Sequence, residues 1–407
     1  MLEPRKVTLS EQSGASTLKV DGKPYTIKGV GGTSFLHELA SIGGNTIRTW
    51  DAEGIGPLLD EAEQEGLMVV AGVWLEHQRH GIDYNNPEER QAELERVESL
   101  VLEHRNHPAL LAWGIGNELE IGGDMDSAIR QINDAAAIVK RLDPNHPRMA
   151  VIAEIGDDKA IRIQNECPDI DFIGINSYGG LASLPQRLDE QGYTGAWAIT
   201  EYGVVGHWET GYSPWGAPYE QTSSEKADFL RSNYEKSIQP NLSKQCLGSF
   251  AFLWGHKQEK THTWYGILLS DGSMTQRADE LERLWTGKLP ENQSPHFIAG
   301  SLVGADREAV RPGQRVEVTI TVEEPDNDPI DVQWALMPES DAQSMGGDHE
   351  QAIEPLDVRI DQPSTTSALI TMPDKEGAYR IFVTIRDGRG RAATANLPIQ
   401  ILSEKNP

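Results

Sequence analysis

Glu118 and Glu201 are the residues of this sequence best placed to do chemistry. Each ends an apolar run. Leu110-Leu111-Ala112-Trp113 continues through Ile115 and breaks into Gly116-Asn117-Glu118, and Ala196-Trp197-Ala198-Ile199-Thr200 breaks into Glu201-Tyr202-Gly203. Runs that are apolar almost throughout read as strands of a parallel sheet with both faces covered. A carboxamide and a carboxylate at the C-terminal end of such a strand are hard to explain as packing. In barrels and open α/β sheets that end carries the catalytic groups. The bland alternative is that Glu118 only begins the next loop and faces water. The second run argues against it. The interval between the two glutamates holds three βα units, so in an eight-stranded barrel they would end strands four and seven and face each other across the mouth. Such a pair suits glycoside chemistry. One carboxyl, kept neutral, protonates the leaving oxygen, and the other, ionised, attacks the anomeric carbon.

The elements that would position them follow in order. Residues 1–24 alternate weakly and turn at Asp21-Gly22-Lys23-Pro24, which predicts a small hairpin closing the bottom of the barrel. Barrel strands are expected at 25–30, 45–50, 67–74, 110–115, 148–154, 171–178, 196–201 and 246–254. Charged, amphipathic stretches predict helices at 88–107 and 126–142, and a closing helix at 273–285. The stretch 289–295 has linker composition. Beyond it the period changes to two, strictly over 316–322 and nearly so over 379–386. The expected fold class is therefore α/β, a (β/α)8 barrel over 1–288, a linker over 289–295, and an immunoglobulin-like β-sandwich over 296–407. The chemistry is expected not to need the sandwich.

Several further residues fall at predicted strand ends. Arg48 sits in a buried run and needs an anionic partner, either a catalytic carboxylate or the nearby Asp51. Asn176 and Tyr178 lie at the mouth of strand six. Trp50, Trp74, Trp208 and Trp254 fall at strand ends or in loops, where indoles make a sugar-stacking surface as readily as a core. The loop 203–222 is long and rich in Gly, Pro, Trp and Tyr, and it includes His207 and Trp208; loops of that length on a compact barrel are usually functional or disordered, and the aromatic content favours function. Glu76, His77 and His80 lack metal-ligand spacing and read as a polar loop. The glycines at 29, 31 and 32 lack the context of a dinucleotide site. No motif calls for a cofactor or a metal.

The formal charge of −27 argues against nucleic acid or an anionic membrane as partner and favours a neutral substrate, which for glycoside chemistry means an uncharged oligo- or polysaccharide. No apolar stretch is long enough for membrane insertion. Cys167 and Cys246 fit no metal or disulfide framework and are expected as buried free thiols. The N-terminal MLEPRKVTLS lacks an apolar h-region, so it is no signal peptide. A secreted or periplasmic location without the leader is expected, because large glucans are met outside the cell; a cytoplasmic one is the alternative.

The Asn117-Glu118 pair ending one strand and the lone Glu201 ending a strand three units later resemble the clan A retaining glycoside hydrolases over roughly residues 20–288. This (β/α)8 group includes β-galactosidases, β-glucuronidases, β-glucanases and the yeast cell-wall glucanosyltransferases. The resemblance implies Glu118 as acid/base, Glu201 as nucleophile and Asn117 as partner of the sugar 2-hydroxyl. It implies that Arg48 and Tyr178 support Glu201, and that Trp254 stacks the sugar at the cleavage point. Clan β-galactosidases carry jelly-roll domains before the barrel, and this sequence shows none, so exo-galactosidase or glucuronidase activity is not expected. The run NTIRTW is similar to its counterpart in the glucanosyltransferases, which implies a β-glucan, β-1,3-linked first. The alternatives are a transglycosylase on that substrate and a non-catalytic glycan-binding protein.

Overall fold

The computed structural model describes residues 3–12, 14–303, 309–345 and 347–403. Contacts divide the chain into two units, residues 1–202 with 232–254, and residues 203–231 with 255–407.

In the first unit an antiparallel sheet of β1 (Val7–Gln12), β2 (Ala15–Val20) and β3 (Lys23–Pro24) precedes a closed parallel barrel. The barrel strands are β4 (Ile27–Gly31), β5 (Thr46–Arg48), β6 (Met68–Val73), β7 (Leu110–Ile115), β8 (Arg148–Ala153), β9 (Phe172–Asn176), β10 (Ala196–Glu201) and β11 (Cys246–Ala251). Glu118 thus follows the fourth barrel strand and Glu201 ends the seventh. Strands β6, β7 and β10 are buried along their whole length, which is why they read as apolar runs. Val7, Leu18 and Val20 of the hairpin join Ile27, Met68, Leu111, Met149 and Phe250 in one core, so the hairpin does plug the barrel floor. Between strands run α1 (Leu36–Ser41), α2 (Gly56–Gln64), α3 (Pro87–His104), α4 (Met125–Leu142), α5 (Lys159–Glu166) and α6 (Leu184–Gln191), while α7 (Ser223–Asn233) falls mostly in the second unit. Asn86 and Asp124 cap α3 and α4 through their side chains. The strand ladders are shorter than the apolar pattern. They stop before Trp50, Trp74, Tyr178 and Trp254, because aromatic residues at the mouth are wholly or partly buried after the parallel ladder has ended. Both cysteines are buried and unpaired, and burial pushes each thiol up to about 12.

The second unit carries β12 (Met274–Thr275), α8 (Gln276–Thr286), β13 (His296–Val303), β14 (Ala309–Val310), β15 (Arg315–Glu323), β16 (Asp331–Pro338), β17 (Ile360–Ser364), β18 (Ser367–Thr371), β19 (Gly377–Arg386) and β20 (Arg391–Ile401). One sheet runs β12-β20-β19-β16, with β14 also on β20, and the other runs β13-β15-β18-β17. Alternate residues of each, such as Val316, Val318 and Ile320 against Leu336, Ile381 and Val383, make the core of the sandwich.

A buried charge network ties the loop after β10 to this sandwich. Glu220 accepts from Lys226 Nζ at 2.6 Å, Thr261 Oγ1 at 2.6 Å, Thr263 Oγ1 at 2.8 Å and Asn396 Nδ2 of β20 at 2.6 Å. Arg380 of β19 donates to the Pro218 carbonyl at 2.7 Å and pairs with Glu339 at 2.6 Å. Breaking a buried ion pair costs roughly 3–5 kcal/mol, a large part of the ~5–15 kcal/mol that holds a domain together. A cut near residue 290, which the sequence makes look harmless, strips Arg380 and Asn396 from these partners. We expect a chain ending at 290 to be insoluble or to melt well below the full chain. Soluble yield and thermal unfolding check this, and a soluble 1–290 fragment with an unchanged Tm contradicts it.

Candidate active site

Glu201 is the last residue of β10. Its strand pairs with β9 in register up to Ile199–Ile175 and then shifts, so that Glu201 itself lies opposite Asn176. An irregularity of this kind re-aims the side chain that follows it. Three donors converge on the Glu201 carboxylate. Arg48 Nη1 lies 3.0 Å and Trp50 Nε1 2.9 Å from Oε1, and the Tyr178 hydroxyl lies 2.8 Å from Oε2. A carboxylate is an acceptor only, and charge-assisted bonds such as that from Arg48 are the stronger kind. Arg48 and Glu201 are 1 % and 6 % exposed, so the pair is a buried one. Asp51 instead accepts the Glu53 backbone N–H at 3.0 Å.

Trp50 is brought close by a particular glycine. A Cβ at Gly72 of β6 would lie 2.3 Å from the Trp50 carbonyl carbon, so only glycine lets the two backbones meet there. Phe252 sets its ring edge-on to both Trp50 and Tyr178, at 5.7 Å and 6.1 Å between centroids.

Glu118 is held differently. After Gly116 (φ 67°) the chain places Glu118 at φ 51°, a left-handed conformation that costs a non-glycine residue about 1–2 kcal/mol. Its N–H donates to the Val151 carbonyl at 2.9 Å and its carbonyl accepts from Ile121 at 3.0 Å. Its Oε1 accepts from Asn176 Nδ2 at 2.8 Å. The Asn176 amide is oriented by Thr200, whose hydroxyl donates to Oδ1 at 2.7 Å. Burial, and then the negative charge of Glu201, push the Glu118 carboxyl up to about 8. Asn117 Oδ1 accepts from Arg48 Nη2 at 2.6 Å and from Asn176 Nδ2 at 3.3 Å. Its remaining capacity is the Nδ2 donor pair, the kind of group from which a sugar hydroxyl oxygen accepts.

The structure therefore gathers Arg48, Trp50, Asn117, Glu118, Asn176, Tyr178 and Glu201 into one hydrogen-bonded set. Trp74 is half-buried and donates to Glu76 Oε2 at 3.3 Å. Trp254 is 1 % exposed and donates to the Phe35 carbonyl at 3.0 Å, so its indole serves as core here. His207 and Trp208 belong to the second unit. There His207 Nδ1 meets the Tyr265 hydroxyl at 3.0 Å, while Trp208 is 54 % exposed. Burial, with the charge of Lys260, holds the His207 imidazole down at about 4. His80 Nδ1 sits 2.8 Å from Glu76 Oε1, and His77 meets Arg79, so each histidine is engaged within its own loop. Thr200, Phe252 and Gly72 escape the sequence reading. Each sits inside an apolar strand run, where only contacts distinguish it from core.

The chain thus has an eight-stranded parallel barrel with an Asn-Glu pair leaving its fourth strand and a glutamate ending its seventh. Within it, residues 43–237 match the model of glycosyl hydrolases family 2, TIM barrel domain. Among solved structures the chain is similar to a Bifidobacterium dentium β-glucuronidase complexed with coumarin-3-O-glucuronide, at 20 % identity over 70 % of this chain and 49 % of that one, TM-score 0.51. It is similar to the Ruminococcus gnavus β-glucuronidase at 17 % identity, covering 70 % and 54 %, TM-score 0.55. A Faecalibacterium prausnitzii β-glucuronidase matches at 17 % identity, covering 69 % and 52 %, TM-score 0.53. The chain spans about half the length of these structures. Among curated proteins nothing matches it.

Proposed function

We propose that the chain is a retaining β-glycoside hydrolase working by double displacement. Glu201 attacks the anomeric carbon, Glu118 protonates the leaving oxygen and then deprotonates the incoming water, and Asn117 donates to the sugar 2-hydroxyl. The observation that carries this reading is the asymmetry of the two carboxyls. Glu201 faces a guanidinium, an indole N–H and a phenol, whereas among the described residues Glu118 accepts from one neutral amide and has its proton held on by burial and by Glu201. Such a division separates nucleophile from acid.

For the sugar we propose a neutral one, a β-glucan with β-1,3 linkages first. The net charge of −27 supports this, as do three cations near the strand ends, Arg48, Lys159 and Arg187, each of which already faces a carboxylate, Glu201, Glu120 and Glu154 respectively. A uronic acid would need a cation of its own. The glucuronide reading is favoured instead by the names of the structural relatives. Incubation with laminarin, other β-glucans and aryl glucuronides, with products read by chromatography and anomeric NMR, decides between them. A β-anomer as first product is expected. An α-anomer overturns the retaining mechanism, and release from aryl glucuronides alone overturns the glucan.

The pH profile follows from Glu118. A carboxyl with a raised pKa keeps its proton where an ordinary glutamate, near about 4.3, has lost it. The acid step should therefore persist to neutral pH and decay as pH rises through the raised value. We expect the alkaline limb of kcat/KM well above the ordinary carboxylate range. A limb near the ordinary value contradicts the assignment.

A further inference from the structure

Glu120 lies two residues beyond Glu118, in the same run, and takes no part in the chemistry proposed above. Its side chain is only 4 % exposed. Oε1 accepts the backbone N–H of Ala153, the last residue of β8, at 2.8 Å, and faces Lys159 Nζ at 3.1 Å. Lys159 Nζ in turn donates to the Ala153 carbonyl at 2.6 Å. One ion pair thus holds both backbone polar groups of a single residue at the mouth of the barrel. Glu120 Oε2 is buried with no hydrogen-bond partner among the described residues. A carboxylate kept in such a place at a desolvation cost calls for a reason.

The connections close into a ring. Glu120 binds Ala153, the next residue Glu154 donates its N–H to the Asn176 carbonyl at 3.0 Å, and the Asn176 side chain donates to Glu118 Oε1 at 2.8 Å. From Glu118 the backbone leads in two steps back to Glu120. Two residues of the ring, Glu118 at φ 51° and Glu154 at φ 52°, hold left-handed backbone, which persists only where the surroundings over-determine it. Without the clamp on Ala153, the β7 loop is free to relax at Glu118, and the Asn176 amide no longer has a fixed carboxyl to meet.

We infer that Glu120 and Lys159 form a positioning pair that holds the Glu118 carboxyl in the attitude needed to protonate a leaving group. The inference rests on the reading of Glu118 as acid/base. Charged groups bearing on Glu118 are Glu201 and Arg48 as well as Glu120, so removing Glu120 also withdraws a charge that favours the proton.

The test compares dinitrophenyl and methyl β-glycosides of glucose and glucuronic acid, using the sugar that is turned over. An acid out of place harms only the substrate that needs it. Glu120→Ala should lower kcat/KM on the methyl glycoside by about tenfold or more and leave the dinitrophenyl glycoside within about twofold. Glu120→Gln, whose amide oxygen still accepts from Ala153, should recover most of the loss. Lys159→Met should repeat the selective loss and serves if Glu120→Ala fails to fold. Equal losses on both substrates, or none, in a folded variant would show a merely structural pair and overturn the inference. Glu118→Ala is the control that separates the two ideas. Without a selective loss there, the acid/base reading itself fails; with it, an unselective Glu120→Ala or Lys159→Met sinks the positioning alone.

Discussion

Glu201→Gln should abolish turnover, by a factor on the order of 10⁴ or more, in a protein that remains folded. The carboxamide is nearly isosteric with the carboxylate but cannot form a glycosyl ester. Its oxygen can still accept from Trp50 and Arg48, so the loss should be chemical and not conformational. The exchange does leave Arg48 without its buried counter-charge, and some thermal destabilisation should accompany it, up to roughly 3–5 kcal/mol on the scale of broken buried pairs. Thermal unfolding and circular dichroism measured beside the kinetics separate the two effects. A folded variant with near-wild-type turnover would remove Glu201 from the mechanism.

The second large effect is that of Glu118→Ala, and it should depend on the leaving group. A natural glycoside leaves as an alkoxide unless it is protonated, so its cleavage should fall by about 10²–10⁴. An activated aryl glycoside needs little acid help, so formation of the glycosyl-enzyme should survive while its hydrolysis stalls for want of a base. Azide needs no base. It should enter the space left by the truncated side chain, restore turnover and yield a β-glycosyl azide. That product would establish two inversions at the anomeric carbon. An α-azide, or no rescue in a folded variant, would show that Glu118 is not the acid/base of a retaining enzyme.

Asn117, Glu118 and Glu201 were legible because each interrupts an apolar run at a place where interruption is costly. The eight barrel strands and the alternating strands of the sandwich were legible for a related reason. Hydrophobic period reports the local state of the backbone and which faces are covered, and both are dictated over a few residues. Strand ends were less well marked, since Trp50, Tyr178 and Trp254 extend the apolar pattern past the last ladder bond.

What the sequence by itself determined, then, is the succession of βα units, the change of period after residue 290 and the identity of the polar residues at the strand ends. Only the tertiary structure decided their partners. Arg48 meets Glu201, far along the chain, and not Asp51, three residues away, because closing the barrel brings β5 and β10 to the same mouth. Trp50 became a donor to Glu201 because Gly72 leaves room for its backbone. Trp254, a sugar platform by its position in sequence, is buried against the Phe35 carbonyl. The loop after β10 turned out to bond to strands near the C-terminus, the Glu220 carboxylate accepting from the Asn396 amide. Each of these pairings joins residues separated by whole elements. Local periodicity carries no information about them, because they are settled by barrel closure, strand register and the close approach of backbones, where burying a charge demands a partner wherever in the chain it lies.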